Sequence, residues 1–175
     1  GQIIFDCDRK GYKNNKTPWH ELWQSYSPPS QVEVYRWKII GNKTICHIAD
    51  LIDKEGYVVE FQHSSISLED VQSREQVYNQ MYWVVDATEA DWIPLDDKIL
   101  VKQKHGWWGR LTKPVFLDVG IGIACVERSY SLTVEKSEDR YKQIYYYLCR
   151  LIPYDTFITS QLILTEGAQL HPSHQ

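Results

Sequence analysis

The four cysteines, Cys7, Cys46, Cys125 and Cys149, are scattered, with no C-x-x-C pair and no histidines at zinc-finger spacing. That argues against a structural zinc site, and the thiols read as free in a reducing compartment. Long apolar runs are absent as well: nothing approaches the ~20 residues needed to cross a bilayer. No charged-then-apolar leader opens the chain, so neither membrane insertion nor secretion is expected, and the cytoplasm is the expected location. Positive charge is not in excess: 19 Lys and Arg stand against 23 Asp and Glu, a net charge of −4. Whole-molecule electrostatics therefore does not draw the chain onto nucleic acid, and any such partner must meet a local basic surface. There is no internal repeat and no low-complexity linker, which favours one domain over residues 1–175. An initiator methionine is missing too; Gly1 reads as a processing or cloning remnant, which leaves an upstream segment open.

What is present is ordinary for a soluble globular domain, with 43% hydrophobic and 24% charged residues. After a short apolar run, Ile3 to Phe5, the first sixteen residues are polar and suggest an edge strand or a loosely held arm. Thr17-Pro18 is a helix start, threonine as N-cap and proline in the first turn, for a helix from Trp19 to about Tyr26. Residues 31–40 alternate as a strand, Gly41-Asn42 turns the chain, and 44–52 form a second strand. A third strand over 57–62 is followed by a helix capped by Ser67 and running to about Gln80, with Leu68, Val71, Val77, Tyr78 and Met81 as its apolar stripe. Tyr82 to Val85 is then a short strand ending in Asp86, which completes an αβββαβ unit. Strands are expected over 98–103 and 113–118, a hairpin from 121–127 and 131–135, a helix over 138–151 with Tyr145, Leu148 and Leu151 on one face, and a frayed tail over 167–175.

The stretch from His47 to Ser64 organises this unit. Two apolar runs meet at Lys54-Glu55-Gly56, and each is interrupted by an acid, Asp50 in the first and Glu60 in the second. Side chains alternate between the faces of a strand, so Val58, Glu60 and Gln62 share one face, and Asp50 is free to lie beside Glu60 across the ladder. Two desolvated carboxylates raise each other's pKa and carry full charge only around a cation. Oxygen ligands favour a hard ion, magnesium or manganese.

Hydrolysis of a phosphodiester uses such an ion to neutralise non-bridging oxygens and to acidify a bound water. Asp50 and Glu60 would hold it, and Gln62 would orient the water. The opposing structural reading makes each acid an edge residue or an arginine's partner, and Arg74 is the candidate partner. Arg74 also suits a phosphate clamp, and Tyr78, four residues on, shares its helix face as core or contact. His47 alternates away from Asp50 and is read as packing or hydrogen bonding.

The run HIADLIDKEGYVVEFQHSSIS, followed by Arg74-x-x-x-Tyr78 and by Tyr82 to Asp86, resembles the competence protein CoiA-like nuclease family of the PD-(D/E)XK superfamily. Trp19 to Gln24 also resembles that family's N-terminal helix motif, with Gln24 where a lysine is expected, and the likeness extends over roughly residues 17–86. It implies a restriction-endonuclease-like α/β fold, a mixed central sheet flanked by helices with C-terminal strands and a helix added over 98–166. It implies Asp50, Glu60 and Gln62 as the catalytic set, Asp50 and Glu60 as ligands of Mg2+ or Mn2+, and DNA as the substrate of an endonuclease-type hydrolase. His20 and Glu21 lie where the superfamily's first helix offers a metal or phosphate contact, against a plain exposed helix start. His20-Glu21 does not begin a zinc-protease H-E-x-x-H, because position 24 is glutamine.

Past Gln62, His63 and Ser64 either reach a phosphate or cap the next turn. Lys102 to Lys113 is a basic segment interleaved with aromatics: Lys104, Trp107, Trp108 and Arg110 suit a loop that grips phosphates and stacks on bases, or else a lid on the core edge with solvated lysines. His171-x-x-His174 is read as inert in preference to a site for stray metal. The second function class is a non-catalytic nuclease-fold module that binds DNA or a recombination or defence partner.

Overall fold

Thr17 caps the first helix, α1 (Pro18–Gln24), its hydroxyl oxygen accepting the His20 N–H at 3.2 Å, in a computed structural model that describes residues 16–162 and 169–175. The arm expected near Ile3 lies outside the described residues. The helix ends at its C-cap Ser25, beyond which the Tyr26 and Ser27 N–H groups bond the Trp23 and Gln24 carbonyls, three residues back in place of four. Three strands follow, β1 (Val32–Ile40), β2 (Lys43–Ile52) and β3 (Val58–Gln62), paired antiparallel in sequence. The β2–β3 turn is fixed by Asp53, whose Oδ1 accepts the Glu55 and Tyr57 N–H groups at 2.9 Å each. Gly56 sits in this turn at φ +87°, a conformation that side chains disfavour.

Helix α2 (Leu68–Tyr78) starts at Ser67, whose Oγ accepts the Asp70 N–H at 3.1 Å, and it carries Glu69 and Asp70 in its first turn. It stops short of Gln80 because Asn79 turns to φ 59°. Met81 therefore begins β4 (Met81–Asp86) instead of ending the helix stripe, and Leu68, expected on that stripe, is half exposed. Strand β4 runs parallel to β3, with α2 as the crossover. This αβββαβ order matches the sequence reading.

Beyond it come β5 (Trp92–Leu95), β6 (Lys98–Lys102), β7 (Val115–Asp118), β8 (Ile123–Ser137), β9 (Arg140–Ile152) and helix α3 (Tyr154–Gln161). All nine strands form one mixed sheet in the order β1-β2-β3-β4-β7-β8-β9-β6-β5. The helix expected over 138–151 is strand β9, and the two short strands expected before it are one strand, β8, bulged between Val126 and Arg128. Tyr145-Tyr146-Tyr147 favours a pleated strand, and Glu138-Asp139, with Asp139 at φ 57°, supplies a two-residue hairpin turn. Gly122 is required where the chain passes β9: a Cβ there would meet the Ile152 carbonyl oxygen at 2.6 Å.

Helices cover both faces of the sheet. Val71, Val77 and Tyr78 of α2 pack with Val58, Met81, Trp83 and Val85, while Trp23 and Tyr26 pack with Val59, Phe61, Tyr82, Val84 and the α3 residues Phe157 and Ile158. Buried acids tie the layers together. Asp118 accepts the indole N–H groups of Trp19 at 2.8 Å and Trp23 at 3.2 Å, and the Tyr154 hydroxyl. Glu75 accepts from Trp83 Nε1 at 3.0 Å and from the Thr112 and Lys113 N–H groups at 3.0 and 2.8 Å. The end of the tail expected to fray is packed: His174 is buried over Trp23, with ring centroids 4.6 Å apart, and bonds the Tyr26 hydroxyl. Apolar ring surface on both sides of that imidazole is what holds it. Cys125 and Cys149 are free thiols, but Cys46 is disulfide-bonded, which corrects the reading of four free thiols. Among the described residues no helix is long and apolar enough to cross a membrane.

Candidate active site

The β2–β3 register pairs Leu51 with Val59 and Ile52 with Val58, and one step further it brings Asp50 opposite Glu60. There the ladder gives way to side chains. Glu60 Oε2 accepts the Asp50 main-chain N–H at 3.0 Å, and Asp50 Oδ2 accepts the Phe61 N–H at 2.8 Å. Both acids are buried, Asp50 at 8% and Glu60 at 2% exposure.

Each acid has a helix behind it. From α1, Gln24 donates to the Asp50 carbonyl at 2.9 Å, and His20 Nε2 lies 3.4 Å from Asp50 Oδ1 without forming a hydrogen bond. From α2, Arg74 Nη1 donates to Glu60 Oε1 at 2.7 Å. Tyr78 is buried, its hydroxyl without a hydrogen-bond partner among the described residues and its ring edge-on to His47. His47 Nε2 in turn meets Ser73 Oγ at 2.7 Å, the packing and hydrogen-bonding role read for it. Burial pushes the Asp50 carboxyl up, but His20 and the Phe61 N–H outweigh it, and Asp50 sits below the usual carboxylate range. Glu60 goes the other way: burial and then the Asp50 charge lift it well above that range, against the pull of Arg74. Burial also disfavours the Arg74 charge, yet Glu60 more than restores it. Burial and the Glu60 charge hold Tyr78 protonated.

Asp50 and Glu60 open onto a cleft of about 430 Å3 whose wall includes His20, Gln62, His63, Ser64 and Arg74. Gln62 ends β3 and donates to the Ser64 carbonyl at 2.7 Å. His63 Nδ1 lies 2.8 Å from Asp86 Oδ2, and Asp86 Oδ1 accepts the Thr88 N–H at 3.1 Å and the Thr88 hydroxyl at 2.7 Å. Sequence reading saw Asp86 only as the end of a strand. Its signal was an acid closing β4 one register step beyond the Gln62–Val85 pair, beside the histidine that follows β3.

Residues 14–99, close to half of the chain, match the family model described as competence protein CoiA, nuclease-like domain. Over that segment the chain is similar to the CoiA-like nuclease family. Comparison with curated proteins and with solved structures returns no match. The CoiA-like segment contains α1, the acid pair, Gln62, His63, Arg74, Tyr78 and Asp86.

The other expected contacts stand apart from the acids. Glu21 is exposed on α1 and does not line the cleft. The basic-aromatic segment lies beyond the CoiA-like match and folds as a short 3-10 helix, Gly106–Arg110. Trp107 and Trp108 are buried at 4% and 3% exposure in the α2-side core, which favours the alternative that they seal the core edge over rings presented to bases. Burying two large rings is favourable enough to decide the segment's placement. Arg110 is used on the protein itself, donating to the Ile66 carbonyl at 2.7 Å, and Lys104 reaches Glu89 at 3.3 Å. Lys104 and both tryptophans line a second cleft of about 530 Å3, which shares His63, Ser64 and Ser65 with the first. Among the described residues no group of three or more His, Cys, Asp or Glu side chains is arranged to hold a metal ion.

Proposed function

We propose that this CoiA-like domain is a nuclease that hydrolyses DNA phosphodiester bonds with Mg2+ or Mn2+, on an αβββαβ core of the restriction-endonuclease kind. The observation that carries the reading is the juxtaposition of Asp50 and Glu60 across β2 and β3, at the wall of a cleft, within the nuclease-like segment. Two carboxylates with no third acidic or histidine ligand among the described residues suit magnesium, which is commonly held by one or two carboxylates and completes its shell with water and substrate phosphate. Each carboxylate oxygen offers two acceptor directions, and the hydrogen bonds from Arg74, Asp50 N and Phe61 N take up one apiece. The donor set therefore fits such an ion.

Asp50 and Glu60 would hold the ion, which when bound supplies charge neutralisation at the phosphate and a more acidic water. The chain's own groups do the positioning. Gln62, at the end of the strand that carries Glu60, orients the attacking water through its side-chain amide. His20 lies against Asp50 and limits where its carboxylate turns, and Arg74 does the same for Glu60. Gln24 anchors α1 to the Asp50 backbone.

The Arg74–Glu60 ion pair favours a second reading, a nuclease-fold module that binds DNA without cutting it. Labelled single- and double-stranded DNA incubated with Mg2+ or Mn2+ separates the two, with wild type beside Glu60→Gln. Cleavage by wild type alone, with binding retained by both, supports the nuclease. Binding by both without cleavage supports the module.

A further inference from the structure

His63 and Asp86 leave the same end of two adjacent parallel strands: β3 and β4 are in register through Gln62 and Val85, and the next residue on each is His63 and Asp86. In open α/β sheets this carboxyl end is where ligands bind. Asp86 is itself immobilised. Two donors from Thr88 hold Oδ1, so Oδ2 is fixed where it meets His63 Nδ1 at 2.8 Å. The carboxylate is 10% exposed while the imidazole is 50% exposed, so a buried acid orients an accessible ring. With Nδ1–H donated to Asp86, Nε2 is the nitrogen left to face a ligand. The ring borders both clefts, one residue past Gln62, so a chain lying across the acid pair passes from the first cleft to the second over His63. The other ionisable groups of the second cleft, Glu89 and Lys104, pair with each other at 3.3 Å, and His105 lies beside them.

We propose that His63, oriented by Asp86, is the acid that protonates the leaving oxygen in phosphodiester cleavage. This rests on the nuclease reading above and adds a residue to it. The water oxygen forms its bond to phosphorus and gives its proton to solvent. The bond from phosphorus to the leaving sugar oxygen breaks with its electron pair on that oxygen, which takes the Nε2 proton of His63, and the ring is reprotonated from solvent. Histidine is the side chain that gives and takes a proton near neutral pH, and such acid catalysis accelerates a step by about 10²–10⁴-fold. Asp86 is a positioning residue in this scheme.

The test uses the full chain with Mn2+ and two DNA oligonucleotides, one with ordinary bridging oxygen and one with bridging sulfur at the scissile position. The product ends from wild type decide which bridging position is replaced. A thiolate leaves without protonation, so the sulfur substrate does not need the acid. His63→Ala and His63→Gln are expected to slow cleavage of the oxygen substrate on the order of 100-fold. Cleavage of the sulfur substrate should change less than about threefold, and binding of uncut DNA, followed by fluorescence anisotropy without metal, should stay within the same factor. Asp86→Asn should give a smaller loss of the same kind, in kcat and not KM. Equal slowing of both substrates, or no slowing of the oxygen substrate, overturns the proposal and leaves His63 as a clamp between β3 and β4 while the nuclease reading stands. If wild type cuts neither substrate, both fall.

Discussion

Asp50 and Glu60 close each other's strand: the Glu60 carboxylate takes the Asp50 amide at 3.0 Å, and the Asp50 carboxylate takes the amide that follows Glu60 at 2.8 Å. The acids that would serve the chemistry are also fastenings of the sheet, so substitutions at these positions act on stability and activity together.

Glu60→Ala strands the Arg74 guanidinium and the Asp50 N–H, and breaking a buried pair from one side is strongly unfavourable, roughly 3 kcal/mol here. Glu60→Gln keeps an oxygen for either donor and is expected to cost about 1 kcal/mol. Both variants should lose cleavage. Urea denaturation beside a cleavage assay gives the two-part result, and equal stability of the variants would remove the fastening role.

Divalent metal should stabilise the wild type through the same carboxylates. At a hundredfold excess over its dissociation constant an ion adds about 2.7 kcal/mol, a shift of several degrees in Tm. Thermal scans in Mn2+ against EDTA should show it in wild type and not in Asp50→Asn or Glu60→Gln. An unchanged wild-type Tm at saturating metal counts against a metal site.

Trp107 and Trp108 are core residues by burial, so Trp107→Ala or Trp108→Ala should cost about 3–5 kcal/mol. Any loss of DNA binding should then follow the loss of folded protein. A variant that keeps its urea midpoint yet binds DNA tenfold more weakly would return these rings to the substrate.

Acid stability carries the mark of Glu75. Burial pushes its carboxyl up, but hydrogen bonds from Thr112, Trp83 and the Lys113 N–H outweigh it and hold it below its ordinary value of 4.5. The unfolded chain therefore takes up this proton first as the pH falls. The contribution is complete above pH ~4.5 and is lost as the pH drops through the lowered folded value. Glu60, raised by burial and by Asp50, works in the opposite sense, weakening the fold as the pH rises through its raised value. Glu75→Gln should destabilise at pH 7, and the gap to wild type should narrow as the pH falls below ~4.5, as followed by urea midpoints.

The αβββαβ unit was legible because each boundary has a local cause: Thr17 and Ser67 as caps, Asp53 and Gly56 in the turn, alternation in β1 and short apolar runs in β2 to β4. The opposition of Asp50 and Glu60 followed from that hairpin alone. The C-terminal half was not legible in the same way. Tyr145, Leu148 and Leu151 fit a helix stripe as well as a strand, and only pairing along β8, which is distant in sequence, decides for the strand. The fates of Trp107, Trp108 and His174 likewise depend on partners from remote segments. Asp86 was missed because its meaning comes from lying next to His63 in space, 23 positions away in the chain.

The mutual hold between the two carboxylates bears on how such a domain would lose its activity. A descendant without the proposed cleavage would still need Asp50 and Glu60 to keep β2 against β3, so drift would first erase residues whose absence the sheet tolerates. Gln62, and His63 with its half-open ring, are the places where a retired copy would first look different.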